Sequence, residues 1–235
     1  MSSLKVWSKF SVVTKEDTTI KLRIVDMPEY LYEKVVQYYI DYFVKAESTI
    51  KAAGIPNNEE AINEIHGPLL RSIEYYDEGY HIVICCLDND DEEIREIMGA
   101  SMMALTIRGE EPKYNFKTKE MTKLFEIVYG LESYYDEVKA FDLERSFGDR
   151  GLFVCPNYTG LGIARELLKV RRMICKEHGI PINGAWMTSY GTQKAAERDG
   201  WETVCEIPYE ELEKQYGVKY DADAKSTKFM IARIK

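Results

Sequence analysis

GLFVCPNYTGLGIARELLKVRRMICKEHG, residues 151–179, passes from an apolar run to an amphipathic segment through a glycine turn. Leu152, Phe153, Val154 and Cys155 form a short apolar block of the kind buried in a strand, and Pro156 and Asn157 end it with turn chemistry. Beyond the turn, Ile163, Leu167, Val170 and Ile174 recur at helical spacing, while Arg165, Glu166, Lys169, Arg172 and Lys176 occupy the remaining surface. Gly179 and Pro181 supply the stop. Between strand and helix stand Thr159, Gly160, Leu161, Gly162, Ile163 and Ala164. Glycines at such a junction let the backbone approach a ligand closely, and the first N–H groups of the helix point outward with the positive end of its dipole. That arrangement binds phosphate.

A short glycine turn is weak evidence alone, because most such turns do no more than start a helix. No Gly-Lys-Ser/Thr follows, so this is not a Walker loop. Ala164 stands where a dinucleotide fingerprint has its third glycine, and no ribose-binding acid follows at a strand end. The turn instead resembles the acetyl-CoA motif Arg/Gln-x-x-Gly-x-Gly/Ala of the GCN5-related N-acetyltransferases. Thr159 takes the Arg/Gln place, Gly162 the central glycine and Ala164 the last position. Downstream, TSYGTQKAAERDGWE (188–202) matches as well, with Gly200 and Trp201 in place of the Gly-Phe that opens the sixth strand of that superfamily. Within it, the chain is most similar to the insect-type arylalkylamine N-acetyltransferases, clearly over 151–211 and more faintly over 43–50.

The resemblance implies an α+β fold: a mixed, mostly antiparallel central sheet of about seven strands flanked by helices. It implies acetyl-CoA as co-substrate, a small primary amine as acceptor and no metal. The amides from Thr159 to Ala164 would grip the pyrophosphate, and the main chain at Phe153 and Val154 would bond the pantetheine arm and meet the thioester oxygen. In the arylalkylamine group a glutamate in a Phe-Phe-x-Asp-Glu-Pro-Leu-like stretch is the general base. FVKAESTI (43–50) aligns Glu47 with it, although Ala46, Ser48 and Thr49 replace the flanking residues; without the resemblance, a glutamate near a helix end reads as a surface residue. Thr188 and Thr192 fall where the group has two small hydroxyl residues that hold the acceptor or pass a proton, and as plain sequence they read equally as a helix cap and a turn residue. Ala196 takes the place of the tyrosine that protonates the leaving thiolate elsewhere in the superfamily.

Composition bounds the rest. The 235 residues suffice for one core, and we read a single domain over 1–235. A net charge of −9 argues against a nucleic-acid partner, and the basic cluster at 169–172 reads as a solvated helix face. Five cysteines without a CxxC pair read as reduced core residues. There is neither an apolar run of about eighteen residues nor a charged-then-apolar leader, so a soluble cytoplasmic monomer is expected. His66, His81 and His178 form no recognisable cluster, and His178 reads as a dipole-complementing residue at a helix end.

Taken in order, the chain opens with alternating segments that predict a hairpin, its second strand carrying Ile20, Leu22 and Ile24 on one face. Pro28 starts a helix bearing Leu31, Val35, Tyr38, Tyr39, Tyr42 and Ala46, and a second helix covers 58–76. Strands at 80–87 and 97–107 flank the acidic turn DNDDEE, which lacks the spacing of a calcium loop. A helix over 117–139, the 151–179 unit, a strand at 182–187, a helix at 188–198 and a strand at 201–207 follow. Residues 210–217 read as a surface excursion before a last strand at 228–233. Two other functions stay open at this level: a polyamine or agmatine acetyltransferase, and a catalytically silent acyl-CoA-binding protein.

Overall fold

The computed structural model describes residues 4–74, 79–89, 93–109 and 115–235; the end of the 58–76 helix and half of the acidic turn lie outside them. Five antiparallel strands form one sheet in sequence order: β1 (Val6–Val13), β2 (Thr19–Asp26), β3 (Tyr80–Leu87), β4 (Gly99–Ile107) and β5 (Arg145–Val154). A second sheet holds β6 (Ile182–Met187), β7 (Glu202–Pro208) and β8 (Ser226–Arg233) in the order β6-β8-β7, also antiparallel. Among the described residues the strands therefore number eight, and they divide between two sheets.

Helices cover both faces of the larger sheet. On one face lies α6 (Ile163–Glu177), and the four apolar positions read from its periodicity are at most 1% exposed. They pack on Leu22, Ile24, Val83, Cys85, Met103 and Phe147. The opposite face carries α1 (Tyr32–Tyr39), α2 (Ser48–Ala52), α3 (Glu59–Glu74) and α4 (Lys119–Tyr134), whose Val35, Val36, Ile50, Ala61, Met121 and Leu124 pack on Val25, Ile82, Ile84 and Met102. The inner strands thus bury both faces, which is why 82–86 reads as an unbroken apolar run rather than an alternation.

Three departures from the sequence reading have local causes. The helix expected over 117–139 breaks at Tyr135, which is extended (φ −156°), because Asp136 caps a new short helix, α5 (Glu137–Ala140), by accepting from Lys139 N at 3.0 Å. The excursion expected at 210–217 is helix α8 (Tyr209–Tyr216), whose Tyr209, Leu212 and Tyr216 are buried with Ile127, Leu131 and Ile207. The helix expected from Thr188 is α7 (Tyr190–Arg198), capped by Ser189.

Candidate active site

The two sheets meet where β5 lies beside β6. Asn183 reaches Phe147 O at 3.4 Å near the start of both strands, and Leu152 packs against the cluster holding Ala185 and Met187, so the strands run in the same direction. No ladder joins them, which leaves β5 with an unpaired edge. Which groups face that edge follows from alternation. Cys155 N bonds Met98 O at 2.8 Å on β4, and a Cβ on Gly99 would come within 2.7 Å of Phe153 O. Phe153 therefore directs its main chain into the sheet, while Leu152 and Val154 direct theirs to the open edge. Of the pair expected to meet a pantetheine arm, Val154 presents its main chain at the open edge, as does Leu152, and Phe153 presents its own to β4.

Upstream, the register slips between Met102 and Met103, which face Gly151 and Asp149, so that Arg150 is an extra residue on β5. This bulge carries Gly151 at φ +116°, and a Cβ there would lie 2.9 Å from ring atoms of both Tyr39 and Phe43. Only glycine lets the helix pass so close. Tyr39 donates its hydroxyl to Arg150 O at 2.8 Å and stacks on Phe43, whose carbonyl accepts from Glu47 N at 2.8 Å. The helix carrying these rings widens into a π-helical turn, Ile40–Val44, just before Glu47.

The glycine turn has the geometry its sequence predicts. Gly160 and Gly162 sit at φ +81° and +83°, and a Cβ on either would meet no atom within 4 Å. Among the described residues, the backbone N–H groups of 160–165 make no hydrogen bond; Glu166 N is the first to close the helix, on Gly162 O at 3.2 Å. Consecutive unsatisfied donors at the head of a fifteen-residue helix form a cradle for an anion. Thr159, expected to open the cradle, instead turns both its hydroxyl, at 3.0 Å, and its N–H, at 3.4 Å, back to Pro156 O, so the free donors begin at Gly160.

Glu47 is half-buried and caps α2, accepting from Ile50 N at 2.7 Å through Oε2, while its Oε1 is buried without a partner. Next to it, Ser48 Oγ donates to Thr188 O at 3.4 Å, and Tyr209 donates its hydroxyl to the same carbonyl. Glu47 and Thr188, 141 positions apart in the chain, are thus brought to one place at the end of β6. The Thr188 side-chain hydroxyl makes no hydrogen bond among the described residues. Thr192 is used locally: its hydroxyl donates to Ser189 O at 3.1 Å and lies 2.9 Å from Ser189 Oγ, in the cap of α7. Ala196 is fully buried against α6, which leaves no room for a tyrosine at that position.

Two tyrosines complete the Glu47 surroundings. Tyr209 and Tyr220 stack with centroids 4.2 Å apart, and the Tyr220 hydroxyl is buried without a partner although Thr49 lies beside it. Burial, with the nearby Glu47 carboxylate adding to it, pushes both phenols up, so both stay neutral. Neither residue carries a sequence signal, since each reaches the site from a helix or loop remote in the chain.

Other residues also depart from their sequence reading. Of the basic cluster taken as a solvated face, Lys169 is exposed, Arg172 bonds Asp199, and Arg171 is 1% exposed. His81 and His178 do come together, with centroids 5.9 Å apart and Asp26 3.2 Å from His81. His178 stands at the C-terminal end of α6 as the sequence suggests, where burial and the neighbouring His81 lower its pKa. Among the described residues no cluster of three or more His, Cys, Asp or Glu could hold a metal ion, and no helix is long and apolar enough to cross a membrane.

Two sheets side by side without a ladder between them, beside a glycine turn that heads a helix, make the fold of the GCN5-related N-acetyltransferases. A protein named as insect arylalkylamine N-acetyltransferase 7, from the yellow fever mosquito Aedes aegypti, superimposes with a TM-score of 0.86 at 22% identity, covering 99% of this chain and 96% of its own. A polyamine N-acetyltransferase of Drosophila melanogaster, which forms N-acetylagmatine, gives 0.69 at 12% identity over 90% of this chain and 99% of its own. A protein of Salmonella typhimurium named as an acetyltransferase, solved with acetyl-CoA, gives 0.52 at 14% identity over 91% and 94%. No family model matches the sequence, and neither does any curated protein.

Proposed function

We propose that the chain transfers the acetyl group of acetyl-CoA to a small primary amine, with an arylalkylamine such as dopamine, serotonin, tyramine or tryptamine as acceptor. The observation that carries this reading is Glu47: a carboxylate anchored by one oxygen, its other oxygen buried and unpartnered, next to Ser48, which bonds the main chain just beyond the end of β6. An isolated buried acceptor atom costs stability, and an ammonium group would satisfy it. The donor side fits as well. The amides of 160–165 suit a pyrophosphate, and the open edge at Leu152 and Val154 suits the amide-bearing arm of a coenzyme A.

Acetyl-CoA supplies the acetyl group as an activated thioester. An alkylamine with a pKa near 10 is almost wholly protonated at neutral pH, so the first task of the chain is to take a proton from nitrogen at Glu47 Oε1. The freed nitrogen bonds the acetyl carbon, the C–S bond breaks, and of the two protons the ammonium loses, one goes to Glu47 and on to solvent while the other ends on the released thiol. Leu152 N–H faces the side from which it can donate to the carbonyl oxygen, and the cradle at 160–165 holds the donor in register.

Tyr38, Tyr42 and Phe43, one to three turns before Glu47 and only partly buried, support an aromatic acceptor. A polyamine would ask for a second unpaired carboxylate, and around Glu47 the other polar groups without a partner among the described residues are hydroxyls, those of Tyr220 and Thr188. The test is a screen of arylalkylamines, agmatine and polyamines with acetyl-CoA, reading free thiol and the acetylated amine together. Thiol release that depends on an arylalkylamine is expected. Turnover confined to polyamines would overturn the acceptor class, and no turnover with acetyl-CoA still bound would leave a silent binding protein.

A further inference from the structure

The largest fully buried side chain of the described protein is Arg171, on the helix that follows the glycine turn. Its Nε donates to Ser101 Oγ at 2.7 Å, and its Nη2 reaches Gly151 O at 2.9 Å, Met102 O at 3.4 Å and Asp149 Oδ1 at 2.8 Å. Asp149 Oδ1 in turn accepts from Gly151 N at 2.9 Å. The guanidinium therefore fills the place where the bulge interrupts the β4–β5 ladder, and both polar groups of Gly151 are held by this ion pair. Residues 149–151 are the whole of the irregularity, so Arg171 is bound to nothing in β5 except the bulge.

The consequence lies in one peptide unit. The Gly151 carbonyl and the Leu152 N–H belong to the same planar, trans peptide, so they point in opposite directions. Arg171 binds the carbonyl from the α6 side, and the N–H of that peptide is the one turned to the open edge. A cation bonded to the oxygen fixes the tilt of the plane and polarises the N–H into a better donor. We infer that Arg171 is a positioning residue for acetyl transfer, setting the Leu152 N–H to stabilise the charge that grows on the thioester oxygen. The same side chain ties that amide to the helix whose first turn holds the pyrophosphate, so the two ends of the donor are fixed by one rigid body. This inference rests on the acetyltransferase reading above.

The test uses the full chain with Arg171→Met, Arg171→Lys and Ser101→Ala, the last keeping the guanidinium while removing one of its anchors. Three quantities are read: kcat with the best amine, the dissociation constant of coenzyme A lacking an acetyl group, and the carbonyl ¹³C shift of acetyl-CoA labelled at that carbon and bound to the enzyme. Loss of one preorganised donor commonly lowers kcat by about 10²–10³, and an indirect loss is expected to lower it about 10- to 100-fold in Arg171→Met and less in Arg171→Lys. Coenzyme A affinity should stay within about twofold, and the ¹³C resonance should move upfield toward its position in free acetyl-CoA as the carbonyl loses its donor. Should Arg171→Met not fold, Ser101→Ala gives the same direction at smaller size. An unchanged ¹³C shift and unchanged kcat in a folded variant would overturn the inference and leave Arg171 a core residue. Failure of wild type to bind acetyl-CoA would instead overturn the acetyltransferase reading.

Discussion

Glu137 is the most perturbed carboxyl of the described chain, and replacing it with glutamine has a consequence whose size follows from its surroundings. The side chain lies where the two sheets meet: it contacts Ser146 on β5, and a Cβ on Gly184 of β6 would fall 1.9 Å from its Oε2, which has no hydrogen-bond partner. Burial, with Asp136 adding to it, pushes the carboxyl from its ordinary 4.5 up to about 7. Between these two values the folded chain holds a proton that the unfolded chain has released, so stability falls as pH rises from about 4.5 to about 7 and is level above that. A shift of about 2.5 units at about 1.4 kcal/mol each gives a loss of about 3 kcal/mol. Glu137→Gln keeps the shape and never acquires the charge. Urea unfolding of both proteins at pH 5 and pH 8 should give curves that nearly coincide at the lower pH, with the variant more stable by about 3 kcal/mol at the higher. A difference that is the same at both values would refute the reasoning, because a packing change alone does not depend on pH.

Two further outcomes are expected. Gly162→Asp meets open space and a left-handed φ that aspartate tolerates better than most residues, so the fold should hold, yet the carboxylate would stand over the amides of 160–165. Wild type should gain a few kcal/mol of stability from saturating acetyl-CoA and the variant none, which a thermal-shift titration reads. Tyr220→Phe removes a buried hydroxyl without a partner, so stability should be unchanged or higher, while the KM for the amine rises about fivefold if that hydroxyl holds the acceptor; an unchanged KM would place Tyr220 outside the acceptor site.

The parts legible in the sequence were those in which a local pattern and the final packing agree. The apolar row of α6 shows plainly because every member faces one sheet, and the glycine turn because its two positive φ values demand glycine. The length of β5 was hidden: SFGDRG (146–151) has two glycines and three polar residues, and it is a strand because β4 pairs with it around the bulge. The burial of Arg171 is hidden for a related reason. The arginine's helical position, between Leu167 and Cys175, lies on the buried face, but its charge reads as solvated unless the distant groups that receive it, here Asp149, Ser101 and two carbonyls, are known. Tyr209, Tyr220 and the His81–His178 pair likewise exist as sites only through contacts between segments far apart in the chain.

Glu47 was reached through a motif whose flanks differ, and its role stands or falls on rate. The most direct measurement is the steady-state kinetics of Glu47→Gln with the best amine, beside the dissociation constant of acetyl-CoA for the same variant. Glutamine keeps an oxygen that can accept from Ile50 N and so keeps the cap, but it cannot take a proton from the ammonium. With Glu47 as the base, kcat and kcat/KM fall together by about 10²–10⁴, with acetyl-CoA affinity near that of wild type. Full turnover in a folded variant that binds acetyl-CoA normally would contradict it.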